Sequence, residues 1–310
     1  MRRGIPKIGS SFLLTILLIS MLVLSGCSEI GGYSRIEQDA PGGSFDQSIT
    51  SEEREDFNFL VLSDLHYGRE NAGVYWAFEE FYTWLDAYQE KLDFAIHLGD
   101  GTSESKACEY ESYAAFLGTL KDRGIPAHAI LGNHDVRDQG REHFIQYIHP
   151  STTRRFSHKG LSFYLLDSGN ASLGKTQLDN LNEAIQEDPN VKVFCSHIPL
   201  YGGPEVFYFA LSDPLERALL LETMVSNKVG LSLSGHLHIA TKLYQFTPSN
   251  TELVCESFHG RDDFFESTRP VWYVLTYQAD SHTITIVRYA VAKSGRIEEK
   301  EVATISMPLS

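Results

Sequence analysis

This chain contains repeated short apolar segments, each followed by a loop with Asp, His or Asn. They constrain its fold more than any other feature. Such segments, separated by helical patterns, are typical of buried strands in βαβ units. We therefore predict an α/β fold. The predicted strands that end in such loops are Phe57–Leu62, Phe94–Leu98, Ala127–Leu131, Val191–Cys195 and Gly230–Leu233.

Helical patterns fill the intervals between these strands. The first is an apolar stripe at alternating spacings of four and three residues, which places its members on one face of a helix that covers a sheet. Its members are Val74, Phe78, Phe81, Leu85 and Tyr88. Further helices are predicted over Glu104–Lys121, around Leu178–Ile185 and over Pro214–Ser226, and later strands at Trp272–Tyr277 and Thr283–Arg288.

The loops after the five strands carry residue types that bind metals or phosphate. Open α/β sheets bind ligands at the carboxyl ends of their strands, so side chains from separate loops converge there. A single Asp-x-His motif is more often a turn cap beside a surface histidine. Together, the five motifs are Asp64-x-His66, Gly99-Asp100, Gly132-Asn133-His134-Asp135, Ser196-His197 and Gly235-His236-Leu237-His238.

In order and approximate spacing, these five motifs resemble those of the calcineurin-like metallophosphoesterases. The resemblance covers most of the chain from Phe57 to His238 and continues more weakly through the terminal strands. It implies a four-layer α-β-β-α sandwich of two mixed sheets flanked by helices, with a dinuclear metal site at its centre. Carboxylates neutralise two adjacent cations, and imidazole and amide groups complete the coordination without adding charge.

The resemblance also assigns a role to each motif residue. One metal is held by Asp64, His66 and His238, the other by Asn133, His197 and His236, and Asp100 bridges the two. His134 corresponds to a histidine near the leaving-group oxygen, where it acts as general acid or stabilises the transition state. The implied cofactors are two divalent or trivalent metal ions, manganese, iron or zinc, which suit these ligands better than magnesium or calcium alone.

One position departs from the family pattern. Many relatives carry an acidic residue three positions after the bridging Asp, where it orients the catalytic histidine, whereas this chain has Ser103. Asp135 or Glu104 could supply that support, although an Asp beside His134 also suits a helix cap. Purple acid phosphatases carry Tyr at the same position, so Ser103 argues against their iron–tyrosinate centre. The sequence leaves open what orients His134.

Two further features border the predicted site. Arg137 could reach a substrate phosphate, although a surface ion pair is the simpler role. The aromatic cluster Phe207-Tyr208-Phe209 could form a wall over the leaving group, although core packing is the simpler explanation. The histidines that match no motif are interpreted as mostly structural or solvent-exposed. They are His97, His128, His143, His149, His158, His259 and His282.

The N-terminal region has the order of a bacterial lipoprotein signal. Basic residues precede the apolar run Phe12–Leu24, and Ser25-Gly26-Cys27 resembles a lipobox. The run is shorter than the roughly 20 apolar residues of a transmembrane helix, and an uncleaved signal anchor is the alternative. We expect a signal peptide over residues 1–26, a lipid on Cys27, a flexible tether over residues 27–55 and a metallophosphoesterase domain over residues 56–310. The expected location is the bacterial cell envelope, outside the cytoplasm.

Charge and cysteine content exclude some classes of function. The formal net charge is −15, and removal of residues 1–26 would take away three cations and no acid, leaving −18. An acidic surface repels polyanions, so long nucleic acid is a disfavoured substrate. Apart from Cys27 there are only Cys108, Cys195 and Cys255, too few for a disulfide framework and without the paired spacing of a zinc site. At least one of these thiols is expected to be free or buried.

The sequence therefore predicts an enzyme that hydrolyses a phosphate mono- or diester with a hydroxide activated by a dinuclear metal centre. A small phosphate ester or a lipid is the expected substrate, and the lipid on Cys27 would attach the enzyme to a membrane. The alternative is a surface lipoprotein that binds metal or a phosphorylated ligand without turnover. Every ligand position of the resemblance is occupied, which favours the enzyme.

Overall fold

The computed structural model describes residues 44–68, 75–88, 90–204, 209–238, 240–259, 270–292 and 294–309. The predicted signal peptide, Cys27 and the first part of the predicted tether lie outside these residues. The helices in the described part are α1 (Tyr75–Ala87), α2 (Ala107–Asp122), α3 (Gly140–Tyr147), α4 (Gly174–Gln186) and α5 (Pro214–Ser226). None of these helices is long and apolar enough to cross a bilayer.

The strands of the same described residues alternate with the helices and then continue as a run of strands at the C-terminal end. They are β1 (Phe57–Leu62), β2 (Phe94–His97), β3 (Ala127–Ala129), β4 (Arg154–His158), β5 (Leu161–Leu165), β6 (Val191–Cys195), β7 (Val229–Ser234), β8 (Lys242–Thr247), β9 (Asn250–Val254), β10 (Val271–Gln278), β11 (Thr283–Val291) and β12 (Ile297–Ser306).

These strands form two mixed six-stranded sheets. The first sheet has the order β12-β11-β10-β1-β2-β3, in which β1, β2 and β3 are parallel and the other neighbours antiparallel. The second has the order β4-β5-β6-β7-β9-β8, in which only the edge strands β4 and β8 pair in the antiparallel sense. The α/β class with two mixed sheets, predicted from the sequence, is confirmed.

Apolar side chains fill three layers of core. Between the sheets, the fully buried ring of Phe59 stacks on that of Phe94 with 5.2 Å between centroids. Helices α1 and α2 cover the outer face of the first sheet through residues such as Phe81, and α4 and α5 cover the second sheet through residues such as Leu181. Because both faces of each sheet are covered, the central strands are continuous apolar runs in the sequence. The layers follow the predicted order α-β-β-α.

The structure differs from the sequence-based expectation around β3 and after it. β3 ends at Ala129, although the apolar run continues to Leu131, because the chain leaves the sheet while Ile130 and Leu131 stay buried. The sequence does not predict the β4–β5 hairpin or α3. β4 is mostly polar and α3 has only eight residues, so neither carries a strong periodic signal.

Residues 44–55 contain no helix or strand but pack onto the domain. Phe45 is buried, with its ring 5.6 Å from the ring of Tyr164. Gln47 Oε1 accepts a hydrogen bond from Arg155 N at 3.0 Å. The described part of the expected tether therefore has apolar and amide contacts with the second sheet.

The three cysteines of the described residues are free thiols. Cys195 and Cys255 lie in the core between the sheets, whereas Cys108 is exposed. Burial raises the pKa of the Cys195 and Cys255 thiols, so neither is a nucleophile at neutral pH. The expectation that at least one thiol is free or buried is confirmed.

Candidate metal centre

The carboxyl ends of the central strands of both sheets meet at one edge of the sandwich. Within each sheet these strands run parallel, so the loops that follow them lie on the same side. Main-chain hydrogen bonds join the loops. Asp64 N donates to Gly99 O at 3.0 Å, and Gly235 N donates to His197 O at 3.0 Å. The fold thus brings together motifs that lie far apart in the sequence.

Five of the seven predicted ligand residues have a left-handed backbone. The φ angles are 58° at Asp64, 50° at His66, 54° at Asp100, 70° at His236 and 60° at His238. Residues other than glycine rarely adopt this region, and each one costs about 1 to 3 kcal/mol. Such strain persists only where the surrounding structure holds it, and it clusters at functional sites.

The first group of candidate ligands consists of Asp64, His66, Asp100 and His238, each of which offers one atom within 4.8 Å of the others. His238 Nε2 lies 3.0 Å from Asp64 Oδ1 and 3.2 Å from His66 Nε2. His66 Nε2 lies 3.7 Å from Asp100 Oδ2. These are the three ligands predicted for one metal, together with the predicted bridging carboxylate.

The second group consists of Asp100, His197 and His236, whose ligand atoms also lie within 4.8 Å of one another. His197 Nε2 is 3.3 Å from Asp100 Oδ2 and 3.1 Å from Asn133 Oδ1. The amide oxygen of Asn133 therefore points at the same space. Asp100 belongs to both groups, which is the position that a bridging ligand would occupy.

The donors in these groups fit metal ions. Asp100 Oδ2 and His66 Nδ1 are buried, and neither has a hydrogen bond of regular geometry with any described residue. Buried polar atoms are normally hydrogen-bonded, whereas Asp100 Oδ2 faces the Nε2 atoms of His66 at 3.7 Å and His197 at 3.3 Å, an arrangement that a bound cation would satisfy. Carboxylate, amide and imidazole donors together suit manganese, iron or zinc. The residues present therefore fit metal ions of this kind.

The ionisation of the site follows from its burial and its mixture of charges. Burial alone would raise the pKa of Asp64, but His238 reverses the effect and holds this pKa below its usual range. Burial would also raise the pKa of Asp100, yet His197 lowers it well below that range. In the other direction, burial would lower the pKa of His197, but Asp100 raises it to about 9. The metal-free site therefore holds ionised carboxylates and a protonated imidazole at neutral pH.

Asp135 ties the loop of Asp100 to its own loop. Its buried carboxylate accepts hydrogen bonds from Gly101 N at 3.1 Å, Thr102 N at 2.8 Å and Gly132 N at 2.9 Å. Gly132 has no room for a side chain, because a Cβ there would collide with the Asp100 carboxylate. These contacts fix the bridging position relative to the loop that follows β3.

The main chain of Ser103 orients His134. His134 Nδ1 lies 2.8 Å from Ser103 O, so this nitrogen carries a hydrogen and donates it to the carbonyl. His134 N donates to Asp100 Oδ1 at 2.7 Å, and the His134 ring lies 4.8 Å from the ring of His66. His134 therefore stands beside the first ligand group, and its other ring nitrogen, Nε2, faces Arg137 Nη2 at 3.4 Å.

The sequence suggested the carboxylates of Asp135 and Glu104 as supports for His134, but both have other partners. Asp135 forms the loop contacts above, and Glu104 Oε1 accepts an ion-paired hydrogen bond from Arg137 Nη1 at 2.8 Å. The loop that carries Ser103 is held instead by Glu109, whose Oε2 accepts from Ser103 N at 3.2 Å and from Glu104 N at 2.8 Å. The Ser103 carbonyl group thus orients His134 in place of the acidic side chain that the family resemblance implies at this position.

A cleft of about 390 Å³ opens beside the second ligand group and is lined by Asn133, Arg137, Phe209 and His236 among others. Phe209 is 55% exposed, and its ring lies 6.1 Å from that of His236. Phe207 and Tyr208, the rest of the predicted aromatic cluster, lie outside the described residues. Arg137 forms the predicted ion pair, but its Nη2 also lies 3.4 Å from His134 Nε2. Both residues therefore border the site.

Some supporting residues have no signal in the sequence. Ser168 Oγ accepts hydrogen bonds from His197 N and Ile198 N, each at 3.0 Å, and so fixes the loop after β6. His259 N donates to Asp64 O at 3.0 Å, and the His259 ring lies 5.8 Å from that of His66. These contacts join distant parts of the chain, so no local pattern predicts them.

Metal binding is expected to release protons at neutral pH. The pKa of His197, raised to about 9, leaves this imidazole protonated below that pH, and a metal ion must displace the proton to bind Nε2. Calorimetric titration of the metal-free protein with Zn²⁺, in buffers of different ionisation enthalpy, should show proton release at pH 7 that declines as the pH approaches about 9. Heats that are independent of the buffer would contradict this protonation state. His282→Gln, a change outside the ligand groups, should leave the release unaltered.

Comparison with known proteins agrees with the motif order. The sequence model of the family described as calcineurin-like phosphoesterase matches residues 57–240. Similar solved structures include GAP50, the anchor in the inner membrane complex of Plasmodium, with a TM-score of 0.56 and 13% identity over 82% of this chain and 89% of that chain. Another is the purple acid phosphatase PPD1 from yellow lupin (Lupinus luteus) seeds, with a TM-score of 0.52 and 13% identity over 81% of this chain and 54% of that chain. At such identities the likeness concerns the fold alone. No curated protein matches the sequence.

The match to the family model begins at β1 and extends just beyond His238. It therefore contains all five strand-end motifs and covers more than half of the 310 residues. The fold, the converging Asp and His side chains and this match lead to the same assignment. The chain belongs to the calcineurin-like phosphoesterase family.

Proposed function

We propose that this protein is a metal-dependent hydrolase of phosphate esters. The observation that carries the proposal is the position of Asp100, whose carboxylate belongs to both groups of candidate ligands. A carboxylate shared between two sets of imidazoles suits two adjacent metal ions. Asp64, His66 and His238 would hold one ion with it, and Asn133, His197 and His236 the other.

When bound, the two metal ions would lower the pKa of a coordinated water and neutralise the phosphoryl oxygens. The contribution of the chain itself is to position the donors. The ionised carboxylates of Asp64 and Asp100 supply negative charge inside the protein, and the strained loops hold the donor atoms before a substrate arrives. Little reorganisation is then needed when the ester binds.

His134 is placed to give a proton to the leaving group. Because Nδ1–H donates to Ser103 O, Nε2 is the nitrogen that can face a substrate oxygen. A protonated Nε2 in this position would donate to the oxygen as its bond to phosphorus breaks. Arg137 Nη2, which lies 3.4 Å from Nε2, adds positive charge close to the same oxygen.

The cleft favours a small ester with an apolar or aromatic part. A volume of about 390 Å³ accommodates a small molecule. Val136, Ile198 and Phe209 supply apolar surface, and Arg137 is the cation among the lining residues. A long nucleic acid needs many cationic contacts, which this acidic chain does not offer in the cleft. Monoesters and diesters both fit these properties.

The fold alone does not separate hydrolysis from binding. It is shared with a protein described as a membrane-complex anchor and with a purple acid phosphatase. What supports hydrolysis is that all seven candidate ligand positions and His134 are occupied and lie together in the structure. Binding of a phosphorylated ligand without turnover is the competing outcome of the experiments that follow.

Removal of the charge on the shared carboxylate should weaken metal binding and sharply reduce turnover. The wild-type protein is expected to contain about two metal ions per chain and to hydrolyse p-nitrophenyl phosphate or its bis ester when Mn²⁺ is present. Asp100→Asn keeps the shape but removes the charge, so elemental analysis should show metal loss and hydrolysis should fall by about 100-fold or more. Asp280→Asn on the surface is the matched control. Metal binding without turnover of either ester in the wild type would favour the binding protein.

Substitution of His134 should affect poor leaving groups most. His134→Gln removes the proton donor but leaves the ligand groups intact, so metal content should stay at the wild-type level. Hydrolysis of phenyl phosphate should fall by about 10²- to 10⁴-fold, because phenolate needs protonation as it leaves. Hydrolysis of p-nitrophenyl phosphate should fall less, since p-nitrophenolate leaves more easily without a proton. Equal losses for the two esters would contradict a role as general acid.

We also propose that the domain is attached to a membrane of the bacterial cell envelope, outside the cytoplasm, through a lipid on Cys27. The support is the order of basic, apolar and small residues before this cysteine. Labelling of expressing cells with radioactive palmitate should mark the wild-type protein and not Cys27→Ala. Equal labelling of the two proteins would contradict the anchor.

A further inference from the structure

A second cavity, of about 540 Å³, opens between α2 and the edge strands β3 and β4. Its walls also include the segment at the end of α3. None of its lining residues is a candidate metal ligand or lines the cleft beside the metal centre. The volume is within the range of pockets that hold small organic molecules.

Arg154, the first residue of β4, brings a buried positive charge to this cavity. Its side chain lines the space, and the residue is only 6% exposed. Nη1 has no hydrogen-bond partner among the described residues, and no carboxylate of these residues forms an ion pair with Arg154. Burial lowers the pKa of Arg154 only to about 10, so the guanidinium is charged at neutral pH. An isolated buried charge is unfavourable unless an opposite charge accompanies it.

The other lining residues add positive and no negative charge. Lys121 and Arg155 join Arg154 in the lining, which contains no Asp or Glu, although the whole chain has 41 acidic and 26 basic residues. Arg155 is already engaged, since its guanidinium donates to Gln47 O at 2.9 Å and to Ala184 O at 2.5 Å. Among the buried cations that line the cavity, Arg154 is therefore the one whose N–H groups are available to a ligand.

Apolar surface lies beside this charge. Leu117 and Ile148 line the cavity, as does Phe156, whose ring stacks on that of His128 with 4.0 Å between centroids. Burial and the nearby Arg154 lower the pKa of His128 to about 3, so the stacked imidazole is neutral at neutral pH. The lining thus combines a cationic end with neutral, aromatic and aliphatic walls.

Gly118 keeps part of the cavity open. It lies inside α2, where glycine is less favourable than alanine by roughly 0.5 to 1 kcal/mol. A Cβ built at Gly118 meets no atom within 4 Å, so close packing of the protein does not require the glycine. Its φ angle is that of the helix, which other residues adopt easily. The missing side chain leaves space next to Leu117 and Lys121.

We propose that this cavity binds a small organic anion, with its carboxylate, sulfonate or phosphoryl group on the Arg154 guanidinium and its apolar part against Leu117, Ile148 and Phe156. The guanidinium presents several N–H donors in a plane, which matches a planar or tetrahedral oxyanion. The proposal does not rest on the metal centre or on hydrolysis. It assigns an occupant whose charge balances Arg154.

The probe for this site is benzenesulfonate, because sulfonate is a weak ligand for metal ions and the ring matches the apolar wall. Its neutral counterpart, benzenesulfonamide, has the same size without the charge. Calorimetry and thermal unfolding of the purified protein at constant ionic strength should show binding and stabilisation by benzenesulfonate and a much smaller effect of the sulfonamide. Arg154→Met should weaken binding by about tenfold or more, because a charge-assisted contact is lost.

Four variants separate loss of the site from loss of the fold. Arg154→Met should unfold at or above the wild-type temperature when no anion is present, since it removes an unpaired buried charge. Gly118→Phe should block the cavity and abolish binding, whereas Gly118→Ala should retain it. Arg123→Met, which removes a surface guanidinium outside the cavity, should bind like the wild type. Absence of binding to the wild type, equal affinity for Arg154→Met, or unchanged binding by Gly118→Phe would each overturn the proposal.

Discussion

Two ionised carboxylates, Asp64 and Asp100, are buried at the meeting point of the two sheets, and the arrangement of the loops around them depends on this charge. Burial alone would favour the protonated acids, because a carboxylate loses its hydration inside a protein. The neighbouring imidazoles of His238 and His197 lower the pKa of Asp64 and of Asp100, respectively, so both acids stay ionised. A pair of metal ions would add further positive charge beside the two carboxylates. The need to compensate these carboxylates explains why histidines from both sheets converge on them.

The candidate ligands can converge only because several of them adopt backbone conformations that are unfavourable by themselves. The turns that direct Asp64, His66, Asp100, His236 and His238 into the centre have positive φ angles. The rest of the fold holds them in place by two means. The strands that precede the loops are anchored in the apolar core between the sheets, and buried polar side chains fix the loops themselves. The donors are therefore positioned by the strands and by the loop contacts of the protein itself.

Charge is distributed unevenly over this acidic chain. The metal centre concentrates negative charge, which suits cations, whereas the cavity next to α2 is lined by basic and neutral residues. β3 connects the two regions. Ala129 at its end lines the cavity, and the chain then runs within a few residues to Asn133 at the metal centre. The net charge of −15 does not predict which ions the metal centre or the cavity attracts. The charged residues that line each of them determine this.

The sequence by itself determined the α/β class, the central strands and the set of candidate ligands. Each ligand directly follows a buried apolar strand, so its place at the edge of a sheet can be read from local order. Edge elements were less predictable, because β4 is largely polar and its pairing partner decides its conformation.

Only the tertiary structure decided how His134 is oriented, since Ser103 contributes a carbonyl group that every residue type possesses. The roles of Glu109 and Ser168 also became evident only in the structure. Their partners are main-chain N–H groups, which residue identity does not reveal. The same is true of Arg154, which is a buried cation without a counter-charge because of what packs around it. Strand order and residue type are local properties, whereas burial, orientation and pairing arise from contacts between distant parts of the chain.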